Sequence, residues 1–169
     1  MNEVHKTGSS QYLTFQLAGE RYGFDVLKTR EVLSVVKIAP LPNAASFLSG
    51  VINLRGNVVP VVDLRKKFGM PAIAQTIDSA IIIVEISVEG EFAIIGTLVD
   101  EVRGVMNCEV EDLEAPPRFG IRLNSNLVQA IAKVGSEFVV ILDTEKVFSE
   151  KELWLTQEPE SAPLPGVEA

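Results

Sequence analysis

Gly50 to Met70 reads GVINLRGNVVPVVDLRKKFGM, and this stretch decides the fold. Val51, Ile52 and Leu54 form one strand, ending at Arg55. Gly56-Asn57 supplies a turn, because both residue types tolerate positive φ. Val58, Val59, Val61 and Val62 form the return strand, since β-branched side chains suit a pleated, half-buried surface. Pro60 brings no N–H to a ladder, so this strand has an unpaired side or a break there. Asp63 then caps LRKKFG as a short helical turn, closed by Gly69 and Pro71. Arg55 is the odd residue. A charged fork beside a turn either reaches solvent or serves recognition, and the segment alone leaves both open.

Outward from this hairpin the pattern stays β. Toward the N-terminus, residues 12–17 alternate as a strand with one apolar face. A turn at Gly19-Glu20 leads to RYGFDV, LKT makes a helical turn, and REVLSVVKI is a further strand broken by Pro40 and Pro42. AASFLSG is a helical or bent connection. Toward the C-terminus, AIIIVEISV, a turn at Glu89-Gly90-Glu91, and FAIIGTLVDEV repeat the hairpin theme, and VRGVMNCEV continues it. DLEAPPRFGIRLNSN is a long loop. LVQAIAKV, Gly135-Ser136 and EFVVILD form another hairpin, and TEKVFS another helical turn. Ser149 and Glu152 have capping-box spacing before KELWLTQ, a short last helix to Gln157.

The chain echoes itself. Val51-Ile52, Asp63 and Phe68 recur 80 residues on as Ile131-Ala132, Asp143 and Phe148. Tyr22, Phe24, Glu31 and Val32 recur 70 residues on as Phe92, Ile94, Glu101 and Val102. Many short strands at such spacing predict small barrels rather than one large sheet, and closure removes exposed edges. The expected architecture is mainly β, with two small barrels packed together. The expected organisation is a flexible leader over 1–10, a body over 11–157 and a disordered tail over 158–169. The body holds two subdomains, mainly 11–70 and 79–148, with exchange of strands between them allowed.

Composition excludes several classes. The chain has 15 Lys plus Arg against 23 Asp plus Glu, a net charge of −8. That argues against a nucleic-acid binder, which needs a basic face, though Arg65, Lys66 and Lys67 leave room for a local basic patch. Cys108 is the only cysteine and His5 the only histidine. No disulfide framework or Cys/His zinc site is available, and no His-based triad. Phosphate-binding glycine loops are absent, so no cofactor is expected. The first residues lack the apolar run of a secretory signal, and Ala80–Val84 is far too short to span a bilayer. The expectation is a soluble cytoplasmic protein without direct membrane insertion. Among the charged residues, Glu31 and Arg55 stand out, each in an otherwise apolar β segment of the first block. An Arg and a carboxylate brought together at a groove orient one another for binding rather than catalysis.

At these residues the sequence resembles the CheW-type chemotaxis coupling proteins. The resemblance is carried by FQLAGERYGFDVLKTREVLSV, by IAPLPNAASFLSGVINLRGNVVPVVDLRKKFG, and by VDEVRGV with the later APPRFG, from about Tyr12 to Phe148. It implies two SH3-like five-stranded barrels and a non-enzymatic adaptor. Its implied partners are the cytoplasmic tip of chemoreceptors and the regulatory domain of a CheA-type histidine kinase. By position, Glu31 and Arg55, with Thr29 and Leu33 beside them, match a receptor-docking site. Thr29 stands where the family usually has an aliphatic residue. Val58, Val59, Glu114, Arg118 and Phe119 match kinase-facing positions, and Val58, Val59 and Phe119 are expected to be exposed. Two alternatives stay open: a CheW-like module of a related pathway such as surface motility, and a small-ligand or purine-binding protein.

Overall fold

Two-residue turns organise the chain. Each of three hairpins turns on a residue pair with both φ positive: Ala18-Gly19 (51° and 85°), Arg55-Gly56 (51° and 90°) and Glu89-Gly90 (51° and 83°). This is the turn whose twist matches that of the flanking strands. The centre of the decisive hairpin is therefore Arg55-Gly56 rather than Gly56-Asn57, and Leu54 pairs directly with Asn57. The first turn likewise sits at Ala18-Gly19, one residue before the expected Gly19-Glu20.

The computed structural model describes residues 9–71, 75–116 and 125–148. Its strands are β1 (Ser9–Leu17), β2 (Glu20–Asp25), β3 (Thr29–Ser34), β4 (Leu48–Leu54), β5 (Asn57–Asp63), β6 (Ala80–Val88), β7 (Glu91–Val99), β8 (Glu101–Glu109), β9 (Leu113–Glu114), β10 (Val128–Val134) and β11 (Glu137–Leu142). Ser9 and Ser10, within the expected leader over 1–10, pair with Glu109 and Cys108, and the rest of that leader lies outside the described residues. The expected helix over 149–157 and the tail lie outside the described residues. Among the described residues, no helix is long and apolar enough to cross a membrane.

The strands form two sheets, β8-β1-β2-β11-β10-β9 and β3-β6-β7-β5-β4. The two-residue β9 gives the first sheet six strands instead of five. The sheets do not follow the blocks 11–70 and 79–148. β1 and β2 join β8 to β11, while β6 and β7 join β3 to β5. Two short parallel pairings make the exchange: β2 beside β11 at Tyr22–Val140, and β7 beside β5 at Gly96–Val61. Pro60 fits this arrangement, because pairing of β5 with β7 begins one residue later.

The internal echo is structural. Moving β4, β5 and the helical turn Leu64–Lys67 forward by 80 residues lands on β10, β11 and the turn Thr144–Val147. Moving β1 to β3 forward by 70 lands on β6 to β8. Under that mapping the two sheet orders coincide, apart from β9. Each unit thus takes two strands from one repeat and three from the other. Asp63 accepts the backbone N–H groups of Arg65 and Lys66 at 3.0 and 3.3 Å, and Asp143 accepts those of Glu145 and Lys146 at the same distances. These caps satisfy donors that a short helix cannot.

Three cores follow from this arrangement. Ile52, Val59, Val61, Ile81 and Ile83 fill the unit of β3–β7. Tyr12, Cys108, Ala132, Val139 and Ile141 fill the other. Between the units lies the largest core, with Phe15, Phe24, Leu64, Ile82, Leu142 and Phe148. β1 is therefore buried on both faces, Tyr12 into one core and Leu13, Phe15 and Leu17 into another. Thr14, also buried, bonds the Gly104 carbonyl at 3.0 Å.

Both sheets curl. Cys108 on β8 and Ala132 on β10 come from distant strands of one sheet yet share a core. In the other sheet, Ala39 just past β3 and Val51 on β4 exchange two backbone hydrogen bonds of 2.9 Å. A side chain at Gly50 would place its Cβ 2.1 Å from the Ala39 carbonyl oxygen, so this closure needs glycine.

Candidate functional site

Glu31 and Arg55 meet across that closure. β3 and β4 are the outermost strands of their sheet order, yet the Arg55 guanidinium straddles the Glu31 carboxylate. Arg55 Nη1 lies 3.5 Å from Oε1, and Nη2 donates to Oε2. The pair faces water, with side chains 69% and 31% exposed. Glu31 raises the Arg55 pKa, first by the hydrogen bond and then by its charge. The fork is therefore fully charged and held in one plane.

Stability does not account for this pair. An exposed ion pair contributes little to stability. A non-glycine residue in the left-handed region costs about 1–2 kcal/mol, and Arg55 sits there with φ 51°. The arrangement presents a charged fork at little or no net gain to the fold.

Thr29 and Leu33 share the strand of Glu31, two residues to either side. The Thr29 hydroxyl donates to the Val26 carbonyl at 3.0 Å and so caps the turn Val26–Lys28. Leu33 is half-buried against the core of its unit. Leu33 stands on the face of β3 that carries Glu31, opposite Ile81 as Glu31 is opposite Ile83, whereas a bulge between Thr29 and Glu31 sets Thr29 opposite Val84 and breaks the period of two there.

The positions that the resemblance assigns to a kinase contact divide differently. Val58 is 74% exposed and Val59 is 0% exposed. The expectation that both are exposed is corrected for Val59, because adjacent strand residues point to opposite faces. Glu114 is exposed and meets Lys133 Nζ at 2.8 Å, which raises the Lys133 pKa. Arg118 and Phe119 lie outside the described residues. Sequence reading missed Phe138, 60% exposed on β11. It is the repeat counterpart of Val58, so the 80-residue echo carried the signal.

The basic patch at residues 65–67 does not form. Arg65 is buried, donating to Asp100 Oδ2 at 2.7 Å and to the Pro71 carbonyl at 2.9 Å. Asp100 Oδ2 also accepts the Ala18 N–H at 2.7 Å. One carboxylate thus ties the β1–β2 turn to the helical turn after β5, across the two units. Lys67 Nζ sits 4.6 Å from the centre of the Phe47 ring, and burial lowers its pKa.

A family model described as CheW-like domain matches residues 11–152. The chain belongs to the CheW-like family. The chemotaxis protein CheW of Klebsiella aerogenes is 29% identical over 150 residues, covering 89% of this chain and 88% of that protein. The CheW of Thermotoga maritima is 30% identical over 143 residues, covering 83% and 88%. The crystal structure of the scaffolding protein TtCheW from Thermoanaerobacter tengcongensis superposes with a TM-score of 0.75 at 35% identity, covering 83% of this chain and 92% of that one. CheW-like proteins are chemotaxis adaptors, and this chain carries the doubled SH3-like β fold of the family.

Proposed function

We propose that this CheW-like protein is a non-enzymatic adaptor that couples chemoreceptors to a CheA-type histidine kinase. It acts in the cytoplasm and joins membrane receptor arrays only through its partners. The carrying observation is the Glu31–Arg55 clasp, an exposed, oriented charge pair that fold stability does not explain. A receptor tip is a helical hairpin, and its recognition needs fixed polar groups beside apolar wall residues. Glu31 and Arg55 supply the first, Leu33 stands on the face of Glu31, and Thr29 lies beside them across a bulge in the strand.

Kinase contact falls to the exposed Val58, with Glu114, Arg118 and Phe119 as the other candidates. Val59 supports that surface from within, holding the strand beneath Val58. The test is a pull-down with receptor cytoplasmic fragments alongside thermal melts. Arg55→Ala is expected to melt like the parent and to lose receptor binding. Arg55→Lys is expected to recover part of it, because an ammonium lacks the planar fork. Normal receptor binding by Arg55→Ala would overturn this reading.

A further inference from the structure

We propose that Asn53 is the positioning residue of the clasp, fixing the turn that aims Arg55 at Glu31. Its consequence for receptor binding rests on the docking reading above. Asn53 Oδ1 accepts the backbone N–H of Gly56 at 2.7 Å. Pairing of Leu54 with Asn57 closes the hairpin but leaves the Arg55–Gly56 peptide between them to be oriented. That peptide follows the Arg55 backbone angles, and those same angles set the direction in which the Arg55 side chain leaves the chain. Holding the Gly56 N–H therefore holds the fork. Asparagine suits the task because its short side-chain carbonyl bonds backbone N–H groups nearby in sequence.

The second unit provides a comparison within the same chain. There the counterparts of Asn53 and Arg55 are Lys133 and Gly135. Glycine takes the positive φ of 64° without strain, and Lys133 turns instead to Glu114. Glu101, the counterpart of Glu31, meets Arg103 of its own strand at 3.8 Å. A side-chain tie across the turn thus accompanies the unit whose turn presents an arginine. Asn53 is itself exposed, so its replacement leaves the core untouched.

The experiment uses the full chain with a receptor cytoplasmic fragment as probe. Asn53→Ala, Asn53→Ser, Arg55→Ala and the double variant Asn53→Ala/Arg55→Ala are compared by binding, by melting and by the NMR signal of the Arg55 Nε–H group. Asn53→Ala is expected to melt within about 3 °C of the parent, as an exposed hydrogen bond allows. It is expected to shift and broaden the Arg55 signal and to weaken binding about 2- to 10-fold, the equivalent of one net hydrogen bond. Asn53→Ser should recover part of both, since a hydroxyl makes the same tie more weakly. The double variant should bind no worse than Arg55→Ala, because Asn53 acts only through Arg55. An unchanged Arg55 signal in Asn53→Ala would overturn the proposal. So would a further loss in the double variant, or a melt lowered well beyond that range. If Arg55→Ala binds normally, the docking reading falls by itself, and the Arg55 signal alone then decides whether Asn53 positions the fork.

Discussion

At the scale of single residues, Arg55 and Asp100 make opposite uses of charge. Arg55 sits exposed in a backbone conformation that disfavours it. Arg55→Asn should therefore keep or slightly raise the melting temperature, since Asn-Gly is a favoured pair for this turn. Asp100 anchors a buried arginine and a turn N–H. Asp100→Ala leaves the Arg65 charge unpaired and should cost about 3–5 kcal/mol in a denaturant titration, the range for breaking a buried pair. A third prediction concerns pH. Burial raises the pKa of both the Cys108 thiol and the Tyr12 phenol. Both stay protonated in the fold at pH values where the unfolded chain ionises them. Their stabilising contribution is complete below the ordinary thiol value of about 8.5 and is lost as pH rises through the folded values. Melts between about pH 8 and 10 should fall more steeply for the parent than for Cys108→Ala. Glu31 and Arg55 were legible from their motif, whereas Asp100 was hidden among many carboxylates. Only geometry shows which of those meets a buried arginine.

At the scale of elements, the hairpins were legible and the exchange between them was not. Alternation and turn residues report on neighbouring strands. The pairings that divide the molecule join β2 to β11 and β5 to β7, far apart in sequence and only two or three residues long. The turn at Arg55-Gly56 was read one residue late, because glycine marks the second position of such a turn as readily as the first. Val59 was grouped with Val58 by motif, although strand parity separates them. The closure of β3 against β4 was also invisible, yet Gly50 records it. Gly50→Ala would force Cβ onto the Ala39 carbonyl at a φ of 147°. It should cost at least about 2 kcal/mol, as overpacking does, and should loosen hydrogen-exchange protection at Ala39 and Val51. Unchanged protection would mean that the closure tolerates a side chain.

At the scale of the whole molecule, the two units share their largest core, and Phe24 is fully buried within it. Phe24→Ala should cost about 3–5 kcal/mol. Both units should then melt together at the lower temperature, because neither owns that core. Calorimetry resolving two separate transitions would contradict the shared core. The clasp and Val58 stand on the β3–β7 unit, while Phe138 and Glu114 stand on the other. The central claim is that this chain bridges two macromolecules that do not otherwise associate. Its direct test is co-sedimentation of a CheA-type kinase with receptor-bearing membranes, with and without the purified chain. The account predicts that kinase sediments with receptors only when the chain is present, and that Arg55→Ala abolishes the effect while still binding kinase in solution. Equal sedimentation of the kinase with and without the chain would contradict it.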